Sequence, residues 1–145
     1  MKIGFGKVNK LAMIPEQRAG FIPIATPTPL EIQAGERINL KTGLVVRVPE
    51  GCILSIQSEP SILVHKGLEV LGPIFVAPED GTELIIPLLN VGQGQLNLHP
   101  GMQVAVAMLH ITEPVEIETF SPEEPKVLKR QPKRPRSDPF KFEVS

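Results

Sequence analysis

The stretch "GERINLKTGLVVRVPEGCILSI", residues 35–56, carries the pattern that decides the fold. Ile38 and Leu40 alternate with polar neighbours, a period of two that puts one face of a strand into a core. An apolar run follows at Leu44-Val45-Val46. Pro49-Glu50-Gly51 then breaks the chain, and a second apolar run begins at Cys52. Strand, turn, strand is the simplest reading of such punctuation.

The same rhythm extends in both directions. "SILVHKGLEVL", "PIFVA", "ELIIPLLNV", "QLNLH", "MQVAVAMLHI" and "VEIETF" read as further short strands. "EDG", "GQG" and "HPG" separate them at hairpin spacing, and no long helical pattern competes. Sixteen Pro and twelve Gly in 145 residues supply the punctuation. Pro87 interrupts "ELIIPLLN" and has no N–H for a ladder, so it predicts an edge strand or a bulge. The expected fold is all-β, a barrel or sandwich of a size that suits one domain.

Composition excludes several functions. The chain is 41% hydrophobic, enough for a core, but only 4% aromatic, with no Trp or Tyr. Six Phe are a poor platform for stacking nucleic-acid bases. The single cysteine, Cys52, precludes an internal disulfide or a CxxC metal site and reads as a small buried apolar residue. His65, His99 and His110 lack metal-ligand spacing, so neither a metal site nor a cofactor is expected. No apolar run is long enough to span a membrane, and the N-terminus lacks the apolar core of a secretory signal.

Charge divides the chain. Residues 1–125 hold 8 Lys/Arg against 14 acids, a net of −6, and residues 126–145 hold 7 against 2, a net of +5. The composition predicts a β domain over 1–120 and a Pro-rich basic tail over 121–145 with little to bury. Lys126, Lys129, Arg130, Lys133, Arg134 and Arg136 form an acid-free run. It reads as a solvated tail, a nuclear-import signal or a weak electrostatic contact to nucleic acid. "FKFEVS" alternates Phe140, Phe142 and Val144, as a strand added to another sheet would.

The order of these segments resembles the trimeric dUTPase family over roughly residues 3–120. Thr42-Gly43-Leu44 and Pro49-Glu50-Gly51 stand at the family's spacing. Ala19-Gly20-Phe21 is similar to its first motif, "HKGLEVLG" to the segment after its second, "LLN" ending at Asn90 to the strand after its third, and "HPGMQVAVAMLHI" to its fourth. The resemblance implies a β-barrel or jelly roll of the β-clip type, and a homotrimer whose C-terminal arm crosses to another subunit.

The side chains that the resemblance assigns to chemistry are replaced. Ile22 stands for the Asp of the first motif, and Glu59-Pro60 for the phosphate-binding Arg-Ser of the second. Ala77 or Pro78, depending on register, stands for the water-activating Asp, and Asp80 for the base-stacking Tyr, while Glu83 matches an acid of the family. Met102 and Val106 replace the Asp and Gln of the fourth. No Gly follows Gly101, so the glycine-rich fifth motif is missing. The expectation is therefore a non-enzymatic, dUTPase-fold homotrimer: a binding or structural protein, viral in character by analogy, intracellular, nuclear or virion-associated, with a tail for a protein or nucleic-acid partner. The rival expectation is a nucleotide pyrophosphatase with a relocated acidic site at Glu79, Asp80 and Glu83. On the first reading these acids are only a solvated hairpin tip.

Overall fold

The computed structural model describes residues 1–16 and 20–123. The chain separates into Met1–Glu113, which holds every strand described, and Pro114–Ser145. Ten strands and one helix make up the first unit: β1 (Gly4–Lys7), β2 (Ile22–Ala25), β3 (Leu30–Ile32), β4 (Arg37–Arg47), β5 (Cys52–Gln57), α1 (Pro60–Lys66), β6 (Leu68–Val70), β7 (Ile74–Val76), β8 (Glu83–Asn90), β9 (Leu96–Leu98) and β10 (Gln103–Ile111). They form the sheets β1-β4-β8-β6 and β2-β10-β5-β7 and the ribbon β3-β9, with antiparallel pairing throughout. The all-β expectation holds.

The period-two pattern is what buries the core. Leu84, Ile86, Leu88 and Asn90 of β8 point inward, alternating with partly or fully exposed neighbours. Ile24, Leu54, Ile56 and Val104 face them from the second sheet, and Ile32 and Leu98 join from the ribbon, giving one continuous apolar cluster.

The turns differ from expectation. In every case the next strand lies in a different sheet from the last, so no two consecutive strands pair. The Pro49-Glu50-Gly51 turn carries the chain from β4 in one sheet to β5 in the other, and residues 77–82 do the same between β7 and β8. Turn residues specify where a chain reverses, not which edge it joins next. The result is the jelly-roll kind of winding rather than a stack of hairpins.

Two further runs depart from the strand reading. "SILVHK" is helical in α1. Glu59 caps it, its Oε1 accepting from the Ile62 amide at 2.9 Å, Pro60 opens it, and Gly67 closes it in the left-handed region at φ 73°. The Ser61 hydroxyl first, then the Ile62 amide, hold the Glu59 carboxyl below its ordinary pKa. "VEIETF" forms no strand, and its residues are exposed.

The Thr42-Gly43-Leu44 segment is a bulge. The β4–β8 register shifts between Lys41 and Val45. Thr42 Oγ1, buried, donates to the Leu84 carbonyl at 2.7 Å, and Glu83 Oε2 accepts from the Gly43 amide at 2.9 Å. Gly43 has φ 75°, and a Cβ there would sit 2.9 Å from both Ala12 Cβ and Asn9 Cβ. Left-handed backbone costs a non-glycine residue about 1–2 kcal/mol before any clash. Gly43→Ala is thus expected to lose roughly 2–4 kcal/mol in urea unfolding. A loss under about 0.5 kcal/mol would show that the Ala12 loop moves aside freely.

Candidate functional site

Pro87 leads to the site. β8 is an inner strand, between β4 and β6, which corrects the edge-strand expectation. Yet the proline has a reason to be there. In an extended strand, a residue's N–H and C=O point to the same side. The Pro87 carbonyl accepts from the Leu71 amide at 2.9 Å, so its missing N–H also faces β6, just past that strand's end at Val70. β6 pairs only with Leu88–Asn90. From Pro87 back to Glu83, β8 has no strand partner on that side, although β4 pairs with it on the other.

Alternation then aims Ile85 at the gap. Leu84 shows its carbonyl to Thr42 on the β4 side, and Asn90 exchanges backbone bonds with Gly35 and Glu36 on the same side. The odd-numbered residues, Glu83, Ile85 and Pro87, therefore direct their backbone groups the opposite way. β7, which pairs only with β5, faces that open edge.

Between β7 and β8 lies a cleft of about 190 Å³, lined by Val46, Ile74–Val76 and Leu84–Ile85, with Asp80, Thr82 and Glu83 as its polar groups. Asp80 Oδ2 accepts from the Ala77 amide at 2.9 Å, and the Asp80 amide donates to the Ala77 carbonyl at 3.1 Å. This closed turn orients the carboxylate, which is exposed. Glu83 is half-buried and tethered to Gly43, leaving one carboxylate oxygen free of that bond. Glu79 is exposed and does not line the cleft. The structure thus brings Asp80 and Glu83 together and leaves Glu79 at the rim. Glu79 and Asp80 are both exposed, but they do not cap a hairpin, because β7 and β8 do not pair.

The family's phosphate positions form a second groove, lined by Phe21, Pro23, Gln57, Glu59, Pro60, Gln103 and Val106. Its single charge is Glu59, already engaged as the helix cap. Among the described residues no three His, Cys, Asp or Glu side chains converge, so they do not fit a protein-held divalent cation. His110 Nε2 lies 2.8 Å from Ser55 Oγ, but Ser55 is buried within β5, and the pair joins two strands rather than exposing a nucleophile. The basic run, Lys126, Lys129, Arg130, Lys133, Arg134 and Arg136, lies outside the described residues, as do Phe140, Phe142, Val144 and Ala19. No helix among the described residues is long and apolar enough to cross a membrane.

The sequence reading missed Thr82 and the Ile85 backbone. The signal for the latter was Pro87 itself: two residues from Ile85, it marks the side of β8 that lacks a neighbour.

No family model matches the chain. Among curated proteins it is similar to the deoxyuridine 5'-triphosphate nucleotidohydrolase of Wolinella succinogenes, 30% identical over 128 residues, covering 83% of this chain and 85% of that protein. The enzyme of the same name from Aquifex aeolicus is 30% identical over 94 residues, 64% of this chain and 63% of that one. That from Agrobacterium fabrum is 31% identical over 78 residues, and the match spans only half (50%) of its length. Among solved structures, a variant dUTPase from phage phi11 of S. aureus superposes with TM-score 0.75 at 14% identity, covering 86% of this chain and 99% of that one. The dUTPase of Staphylococcus bacteriophage 80alpha gives 0.74 at 14% identity over 82% and 96%. These two show the fold.

The curated relatives are named as nucleotide hydrolases, which overturns the expectation of a chain that is not an enzyme. That expectation assumed that chemistry must sit on the family's own positions. By its 30% identity across 85% of a full relative, the chain belongs to the deoxyuridine 5'-triphosphate nucleotidohydrolase family.

Proposed function

We propose that the protein is a nucleotide pyrophosphatase that takes the base of a deoxynucleoside triphosphate into the β7–β8 cleft. Water adds across the α–β phosphoanhydride, giving the monophosphate and pyrophosphate. The observation that carries this reading is the open β8 edge: Ile85 directs one N–H and one C=O into a cleft with apolar walls. Such an edge can hold a planar, amide-like ring as it would another strand. Small-molecule sites of this kind pair apolar walls with a few convergent polar groups.

Glu79 is the group we assign to the water. It follows Pro78 directly, beside the position the family uses, and its carboxylate stands outside the cleft. The triphosphate needs cations that the described grooves lack. The run Lys126 to Arg136 is the part of the chain able to supply them. Exposed apolar side chains such as Phe21, Phe75 and Ile111 give a second copy surface to cover.

The test is direct. The full chain is incubated with each of dATP, dCTP, dGTP, dTTP and dUTP with Mg²⁺, and pyrophosphate is followed. Release from at least one nucleotide, slowed by about 100-fold or more in Glu79→Gln, is the expected result. Failure to turn over any of the five would overturn the reading.

A further inference from the structure

The two sides of the β7–β8 cleft are unlike. On the inner side the core makes its floor: Val46 and Leu84 are buried there, and Ile74 and Val76 pack against the same apolar cluster. Side chains alternate along a strand. Phe75, between Ile74 and Val76, therefore stands on the outer side, and so does Ile85, between Leu84 and Ile86. Both line the cleft and both are exposed, Phe75 at 57% and Ile85 at 43%.

A ring held edge-on by the Ile85 N–H and C=O takes the place of an added strand, so it lies in the plane of the ladder. One of its faces then rests on the apolar floor. The other looks outward, to the side where Phe75 and Ile85 stand. Phe75 is the one aromatic residue in the lining. Every base has a π-face, and stacking on an aromatic ring requires no particular pattern of donors and acceptors.

We infer that Phe75 is the base-stacking residue of the site, its ring covering the outer face of a base whose inner face lies on Val46, Ile74, Val76 and Leu84. This rests on the nucleotide-binding reading above and deepens it. The platform comes from β7, whereas the residue standing for the family's stacking Tyr is Asp80. Stacking holds the base alike before and during reaction, so it sets affinity and not the chemical step.

The experiment uses the full chain and the α,β-imido analogues of the five deoxynucleoside triphosphates. Phe75→Ala should raise the Kd of the tightest-binding analogue by about 5- to 140-fold, the range that one base–aromatic stack contributes. KM should rise with it and kcat should change little. The chain has no Trp, so Phe75→Trp places a single indole at the cleft. That variant should keep its affinity, and its emission should fall saturably with added analogue but not with inorganic tripolyphosphate, which has no base. If Phe75→Ala does not fold, the indole variant decides alone. An exposed Phe can instead serve contact with a second copy, which sedimentation of Phe75→Ala reads. A changed subunit number with unchanged Kd, an indole emission unmoved by bound analogue, or an emission that tripolyphosphate lowers equally would overturn the inference. Turnover with a Kd unmoved by Phe75→Ala would remove the inference and leave the pyrophosphatase reading standing. No analogue bound and no nucleotide turned over would remove both.

Discussion

Glu79→Gln is expected to slow nucleotide hydrolysis by about 100- to 10,000-fold, the range that a positioned proton acceptor contributes. Glutamine matches glutamate in shape but cannot take a proton from water. Glu79 is exposed and its side chain caps no helix and bridges no strands, so the substitution should leave the fold intact. At 1.36 kcal/mol per decade the loss corresponds to about 2.7–5.4 kcal/mol of transition-state stabilisation. Single-turnover pyrophosphate release reads the chemical step, and the Kd of an imido analogue reads binding. The expected pattern is a large fall in the first with little change in the second. Unimpaired turnover would take the water away from Glu79 and assign it to another acceptor.

On the proposed reading, Glu79 and Asp80 have different work despite being adjacent. Both are exposed, but Asp80 is among the residues lining the cleft and Glu79 is not. A variant at Asp80 should weaken nucleotide binding, while a variant at Glu79 should move rate. Two neighbouring acids that responded alike would argue for a single shared role.

How much of this was legible in the chain varies with the physics. Alternation at Ile38-Leu40 and Leu84-Ile86-Leu88 located strands and their inward faces, because side-chain direction follows a period of two whatever the strand pairs with. Pairing was not legible. Pro49-Glu50-Gly51 and the 77–82 loop have good turn chemistry, yet both carry the chain to another sheet. Partner choice is settled by packing over the whole core, which no local window contains. Helix α1 was legible in principle, since Glu59-Pro60 and Gly67 are start and stop signals, but seven residues gave too short a period to stand against the apolar run. The acids of the site were named from the sequence. What they line was not, because a cleft between strands of two sheets exists only once those strands decline to pair.

Asn90→Ala is the largest expected loss of stability. The residue matches the family's strand ending, and its structural task is plain. Its side chain is 1% exposed. Nδ2 donates to the Ile32 carbonyl at 2.8 Å and the Gly94 carbonyl at 2.9 Å, and Oδ1 accepts from the Gly92 amide at 2.9 Å. One side chain thus ties the end of β8 to β3 and to the 91–95 loop, which rests on the Gly67 helix cap through the Val91 amide. Alanine leaves three backbone groups unpartnered, each costing about 1–3 kcal/mol where water cannot reach. With partial rescue by water in the loop, a loss of about 3–5 kcal/mol is expected in urea unfolding. Asn90→Asp makes the argument sharper. It preserves shape but turns the Nδ2 donor into an acceptor facing two carbonyls, so at neutral pH it should be no milder than alanine. If aspartate were tolerated, volume rather than hydrogen bonding would be what Asn90 supplies. Because Asn90 lies outside the cleft lining, either variant that remains folded should retain the nucleotide affinity of the unaltered chain.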